Sequence, residues 1–273
     1  MCVGKSQQTY ERLLKAVLEA CEAIGISADP ATVVTDFESA AINAVTATLG
    51  DHVAVRGCFF HLCQSTWRKI QELGLVQAYR SDEEVRTFCA SIDALAFLPI
   101  SEVDEGVKHL LDNIPAGDSQ QELTSLLDYF QSTYVSGTFR RITWPTGGNG
   151  VTQVRLRRIP PLFPKATWNV FEATLAGTDR TNNLCESWNR GFTAVVGHQH
   201  PSLWTAVEAL QEDAAAATTV LLQNARGQPP AKRVKRATLQ LQRQLQTLCR
   251  ERRDGRRSVA DTLRAVSHTV RFE

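Results

Sequence analysis

At 273 residues and 43% hydrophobic content, the chain is long enough for one large domain or two small ones with a real core, which excludes a disordered tail. No apolar run approaches the roughly 18 to 20 residues of a membrane span. Met1 to Tyr10 also lacks the basic-then-apolar layout of a signal peptide, so a soluble intracellular protein with no membrane partner is expected. Seven cysteines, odd in number and scattered, argue for thiols or occasional metal ligands in a reducing compartment rather than for a disulfide framework.

The formal net charge of +1 conceals a polarity along the chain. Residues 1–130 hold 9 Lys and Arg against 19 Asp and Glu, a net of −10, whereas residues 131–273 hold 21 against 10, a net of +11. A basic half of this size suits a polyanion-binding surface, and it equally suits neutralisation by the acidic half when the two pack together.

In chain order, Tyr10, Leu13, Leu14, Val17, Leu18, Cys21 and Ile24 recur at helical spacing, and Gly25 stops the helix. Ala31 to Thr35 is short, apolar and β-branched, reads as a buried strand, and ends on Asp36 before a helical stretch from Glu38 to Leu49. Val53 to Phe60 is a second strand candidate, followed by a helix from His61 to Leu73. Strands alternating with helices predict an α/β fold with a parallel sheet. From Gly74 to Gly137 the pattern is purely helical, with one stripe of Val85, Phe88, Ile92 and Leu95 and another of Leu123, Leu126, Leu127, Phe130 and Tyr134, so a large helical insertion is expected.

Between Trp144 and Pro164, the glycines of Thr-Gly-Gly-Asn-Gly, a Pro-Pro pair and the cluster Arg155, Arg157 and Arg158 predict an irregular, basic, solvated loop. Helix returns at Asn182–Val196, with Leu184, Trp188, Phe192 and Val195 on its apolar face and Glu186 off that stripe, and again at Leu203–Leu222. The last segment carries Lys232-Arg233-Val234-Lys235-Arg236, a helix with Leu239, Leu241, Leu245 and Leu248, and the arginine-rich run 250–257. That final helix suits packing on the domain and self-association into a homo-oligomer alike. The expected organisation is therefore 1–73 as the first part of a core, 74–143 as the helical insertion, 144–222 as a basic loop and Glu-bearing helix completing the core, and 223–273 as a basic helical tail.

Several of these residues can carry chemistry. Asp36 stands at the C-terminal end of a strand, where α/β folds build their sites, although capping of the next helix is the plainer alternative. Glu186 is a second carboxylate some 150 residues later, and a solvated helix position is its plainer alternative. Cys58 and His61 have the spacing of half a zinc site, with Cys63 close by and His198 and His200 as distant complements. Arg155, Arg157, Arg158 and Lys165 are candidate contacts to DNA phosphates, which position a protein without reading bases. Lys232, Arg233, Lys235 and Arg236, behind Pro229-Pro230, form a candidate nuclear-localisation signal.

The order of these blocks, Val33-Val34-Thr35-Asp36-Phe37-Glu38, then Arg56-Gly57-Cys58-Phe59-Phe60-His61-Leu62-Cys63-Gln64, then a helical insertion, then Thr181-Asn182-Asn183-x-x-Glu186-Ser187-Trp188-Asn189-Arg190 and His200-Pro201-Ser202-Leu203-Trp204, resembles the Mutator-like element (MULE) transposase domain from about residue 5 to 215. The resemblance implies an RNase H-like fold and a D-D-E carboxylate set holding two Mg²⁺ or Mn²⁺ ions for in-line attack on a DNA phosphodiester, with Asp36 in the second acidic position and Glu186 in the third. The first Asp, on a strand upstream of the first helix, has no counterpart here, and Asn189 stands where many relatives have His. The expectation is a partial core of about two parallel strands with uncovered faces and edge, which cuts no DNA by itself. A domesticated nuclear DNA-binding or protein-interaction module that lost catalysis is the alternative.

Overall fold

In the computed structural model, residues 4–145, 152–198, 200–228 and 235–270 are described. Helix α1 (Gln7–Ala23) begins where the Ser6 hydroxyl accepts from the Thr9 N–H, and it packs on α2 (Ser39–Leu49). Strand β1 (Thr32–Thr35) pairs in parallel with β2 (Ala54–Gly57), joined through α2, and the register runs from Thr32 opposite Ala54 to Thr35 opposite Gly57. The chain is thus mixed α/β and mostly helical, with its strands in two small sheets. The predicted burial of the first strand is not met. Thr32 is exposed and Val33 to Thr35 are half-buried, because no third strand flanks the pair among the described residues.

Helix α3 (Phe59–Glu72) leads from β2 into the main apolar core, followed by α4 (Val76–Ser81), α5 (Glu83–Ala94), α6 (Val103–Asp112) and α7 (Gln120–Phe130). Asp82 starts α5 by accepting from the Glu84 and Val85 N–H groups. The predicted stripes face inward, with Phe88, Ile92, Leu95, Leu123, Leu126, Leu127 and Phe130 all buried. A π-helical turn, Gln131–Val135, ends this run and carries Tyr134 into the core.

The strand that follows corrects one expectation. The helical region ends at Gly137, and β3 (Thr138–Pro145) pairs antiparallel with β4 (Thr152–Ile159), so the segment expected as an irregular loop is largely a two-stranded ribbon. The physical reason is the period-two alternation Val154-Arg155-Leu156-Arg157, which places apolar and charged side chains on opposite faces. At the base of the ribbon Gly137 has φ +74°, and a Cβ there would lie 2.0 Å from the Ile159 carbonyl oxygen, so the two arms close only over a glycine.

Short helices α8 (Lys165–Trp168) and α9 (Phe171–Ala176) follow. Beyond them the chain divides into two compact units, 1–181 with 241–273, and 182–240. In the second unit α10 (Asn183–Val196) packs on α11 (Leu203–Ala225), and the Trp188 indole N–H donates to Asp213 Oδ2 at 2.9 Å. The predicted apolar face of α10 is not a core face. Trp188 stacks on Phe192 at 5.1 Å, yet Trp188 and Val195 are each close to half exposed.

The C-terminal helices α12 (Arg236–Arg253) and α13 (Val259–Ser267) are not a free tail. Leu245, Leu248 and Cys249 on α12, with Val259, Leu263 and Val266 on α13, are buried in the first unit, and α13 lies on α5 and α6. Arg252 clamps Glu102 through two hydrogen bonds, Nε to Oε2 at 2.7 Å and Nη2 to Oε1 at 2.9 Å. Leu245→Ala is expected to cost about 2–5 kcal/mol in urea unfolding, and Leu239→Ala, at a much more exposed position, far less. Equal midpoints for the two variants would mean that the tail is not docked.

Candidate functional site

The carboxyl end of the β1–β2 pair is organised by Phe37. Its ring lies over Gly57, where a Cβ would come within 2.4 Å of it, and it packs edge-on against Tyr134 and Phe163 at 5.8 and 5.0 Å. With Phe37 drawn inward, Asp36 is left at the strand end with its side chain 54% exposed. Helix α2 begins at Ser39 with Glu38 as its N-cap residue, so Asp36 does not occupy the capping position. His61 Nδ1 stands 3.1 Å from Asp36 Oδ1, close but not aligned as a hydrogen bond.

Cys58 is fully buried at the N-terminus of α3, where its N–H donates to the Thr35 carbonyl at 2.8 Å and ties the two strand ends together. One residue on, the Phe59 N–H donates to the Arg180 carbonyl at 2.9 Å, so the chain returns to this end of the strand pair at Arg180. The Arg180 guanidinium lies 5.7 Å from the Phe97 ring centre, and burial lowers its pKa.

Glu186 is in the first turn of α10, in the second unit, with its side chain 27% exposed and Arg190 Nη2 at 3.8 Å. A carboxylate in a first helical turn is stabilised by the helix dipole, so its place there has a local cause. Among the described residues no three His, Cys, Asp or Glu side chains gather as metal ligands. In the first unit Asp36 has the His61 imidazole nitrogen as a neighbour. A Mg²⁺ or Mn²⁺ pair calls for hard oxygen ligands, of which Asp36 is a candidate in the first unit and Glu186 in the second.

The basic candidates separate by environment. Arg155, Arg157 and Arg158 are exposed on β4. Arg158 donates from Nε and Nη2 to the Ser136 carbonyl, both at 3.3 Å, which braces the ribbon base. Lys165 is committed elsewhere: its ammonium is 2.6 Å from Asp104 and its side chain only 19% exposed. Sequence reasoning missed Arg140 and Arg141, which stand across the ribbon from Arg157 and Leu156, and the alternation in β4 was the signal that could have found them. Arg140, Arg141, Arg157 and Arg158 line a groove of about 590 Å³ along the ribbon. Of the nuclear-localisation residues, Lys232 and Arg233 lie outside the described residues, as do Pro229 and Pro230, while Lys235 and Arg236 are exposed at the start of α12.

No protein-family model, no curated protein and no solved structure matches the chain.

A buried carboxyl group that the sequence does not advertise lies behind Cys58. Asp93, on α5, is 2% exposed, receives Thr66 and Cys63 as hydrogen-bonding neighbours, and leaves Oδ1 without a partner. Burial raises its pKa to about 7, well above the ordinary carboxylate value, and the Thr66 and Cys63 contacts only partly oppose this. Its neighbour Cys63 is pushed well above the usual thiol value, first by burial and then by the Asp93 charge. Between about pH 4 and 7 the folded state holds a proton that the unfolded chain has released, so this group's contribution to stability falls as pH rises through that window. Asp93→Asn is expected to remove a pH-dependent loss on the order of 4 kcal/mol, read as a flatter plot of urea midpoint against pH. Parallel plots for the two proteins would show that Asp93 does not titrate in that range.

Proposed function

We propose that this chain is the DNA-binding core of a MULE-type DDE transposase and that by itself it does not cut DNA. The observation that carries the reading is the carboxyl end of the β1–β2 pair: Asp36 ends the first strand, the Cys58-x-x-His61 block opens the helix after the second, and Arg180 docks beside it. Arg180 precedes the Asn182–Glu186 block by two residues in sequence. This is the order of chemistry-bearing segments on which the family resemblance rests, and the first two of them stand at strand ends, where α/β folds gather functional side chains.

The lack of cutting follows from the ligand chemistry. Two-ion phosphodiester attack needs several carboxylate oxygens around the ions, and in the first unit Asp36 stands beside His61 instead. No catalytic step is therefore assigned to the residues of this chain. DNA binding draws support from the net charge of +11 over residues 131–273 and from the exposed arginines of β4. A domesticated, non-catalytic nuclear module shares these properties, and the imidazole neighbour of Asp36 favours it as the second reading.

With the full chain and a labelled duplex in Mg²⁺ or Mn²⁺, retention of DNA at low salt without nicking is expected, and Asp36→Ala should behave identically. Nicking that disappears in Asp36→Ala would overturn the non-cutting assignment, and failure to retain DNA would overturn the binding one. Nuclear residence is the location this function requires. Replacing Lys232, Arg233, Lys235 and Arg236 together by alanine should spread a fluorescent fusion through the cytoplasm, and unchanged nuclear accumulation would remove the signal assignment.

A further inference from the structure

The β3–β4 ribbon has an unusual charge geometry. No acidic residue occurs between Asp128 and Glu172, so the whole excursion, its base and its flanks are free of carboxylates. Register places Arg140, Arg155 and Arg157 on one face, since Arg140 is opposite Arg157 and Ile142 opposite Arg155. The other face carries Arg141 and Arg158, opposite Leu156 and Phe139. Among the described residues, none of Arg140, Arg141, Arg155 and Arg157 meets a carboxylate.

Five guanidinium groups on a two-stranded ribbon repel one another, and that cost persists unless anions neutralise it. A flat anionic surface would neutralise one face only. The element is also anchored rather than loose. Tyr134 and Phe163 stack at 5.8 Å beneath it, the Trp168 indole N–H donates to the Tyr134 carbonyl at 2.7 Å, and Arg158 holds Ser136. Phe139 and Leu156, each 68% exposed, sit between the charges and offer apolar contact to sugars and thymine methyl groups.

We propose that the ribbon is an arm that enters the major groove of duplex DNA with phosphates on both of its sides, Arg140, Arg155 and Arg157 reaching one strand's backbone and Arg141 the other. Two strands about 4.8 Å apart, with side chains on both faces, match a groove about 12 Å wide that admits a two-stranded ribbon. The deep, narrow major groove of an RNA duplex does not admit it. This inference rests on the DNA-binding reading above and adds to it the element, the groove and the two-sided contact.

The test is fluorescence anisotropy of the full chain on a mixed-sequence DNA duplex between 50 and 200 mM salt. Each phosphate contact contributes about 0.9 to the slope of log K against log salt. Replacing Arg140, Arg155 and Arg157 by alanine should lower the slope by about 3, and Arg141→Ala alone by about 1, with additive loss in the combined variant. Lys165→Ala, whose ammonium is held by Asp104, should leave the slope unchanged. Loss confined to one face would overturn groove entry, and unchanged slopes in variants of a chain that still binds DNA would overturn the arm while leaving the DNA-binding reading intact. Absence of binding by the unmodified chain would overturn both, and tighter binding to an RNA duplex or a single strand would overturn the choice of partner.

Discussion

The packing of aromatic rings around Tyr134 is the interaction on which the described parts of the first unit depend. Phe37 reaches it from the end of β1, Phe130 from α7, and Phe163 from the far side of the ribbon, while Trp168 packs edge-on to Phe130 and donates to the Tyr134 backbone. The Tyr134 hydroxyl is not left unpaired in this apolar setting: it donates to Ser65 Oγ at 2.9 Å, which in turn stands 2.8 Å from the Tyr129 hydroxyl. Offset and edge-on ring pairs are each worth about 0.5–1.5 kcal/mol beyond the area they bury. One cluster therefore fixes the position of Asp36, ends the helical region and seats the base of the ribbon.

That arrangement explains how a two-stranded parallel sheet persists half-exposed. An isolated strand pair is marginal in water, and parallel sheets ordinarily have both faces covered. Here the pair is an appendage of the helical core, held through Phe37, through the Cys58 and Phe59 backbone bonds, and through buried Leu62 on α3. The exposed apolar residues of α1, among them Leu13 and Val17 at about half their surface, belong to the same sparsely covered region. Stability resides in the helices, and the strand ends inherit their geometry from it.

The helices and the parallel pair were legible because their signals are local: β-branched runs of four or five residues, apolar spacing of three and four, and an Asp closing a strand. The ribbon carried an equally local alternation in Val154 to Arg157, but Gly147, Gly148, Gly150, Pro160 and Pro161 read as loop punctuation. Pro160 and Pro161 follow directly on the end of β4, so they marked its limit rather than its absence. The docking of Leu245 and Leu248 and the burial of Asp93 were not legible in the same way. Spacing defines the face of a helix without naming its partner, and a carboxylate between Ile92 and Ala94 gives no local cue that its whole surroundings are apolar. Trp188 and Val195 fail in the opposite sense, members of an apolar stripe that are each close to half exposed.

The opposite charges of the two halves of the chain are reconciled only in part by folding. Lys165 with Asp104, and Arg252 with Glu102, join cations of the basic half to anions of the acidic half, and both cations are well screened from solvent. Arg257 is met instead by Glu251 within its own segment. The ribbon is left out of this pairing: its arginines stand on an excursion that begins beyond Asp128 and closes before Glu172. Mutual neutralisation therefore accounts for Lys165 and Arg252 and does not reach the β3–β4 arginines. Exposed pairs of single charges contribute little to folding, so such a concentration of one sign has no stabilising role within the chain. Its physical rationale lies in an anionic partner, and a two-faced ribbon requires that partner to present charge on two sides.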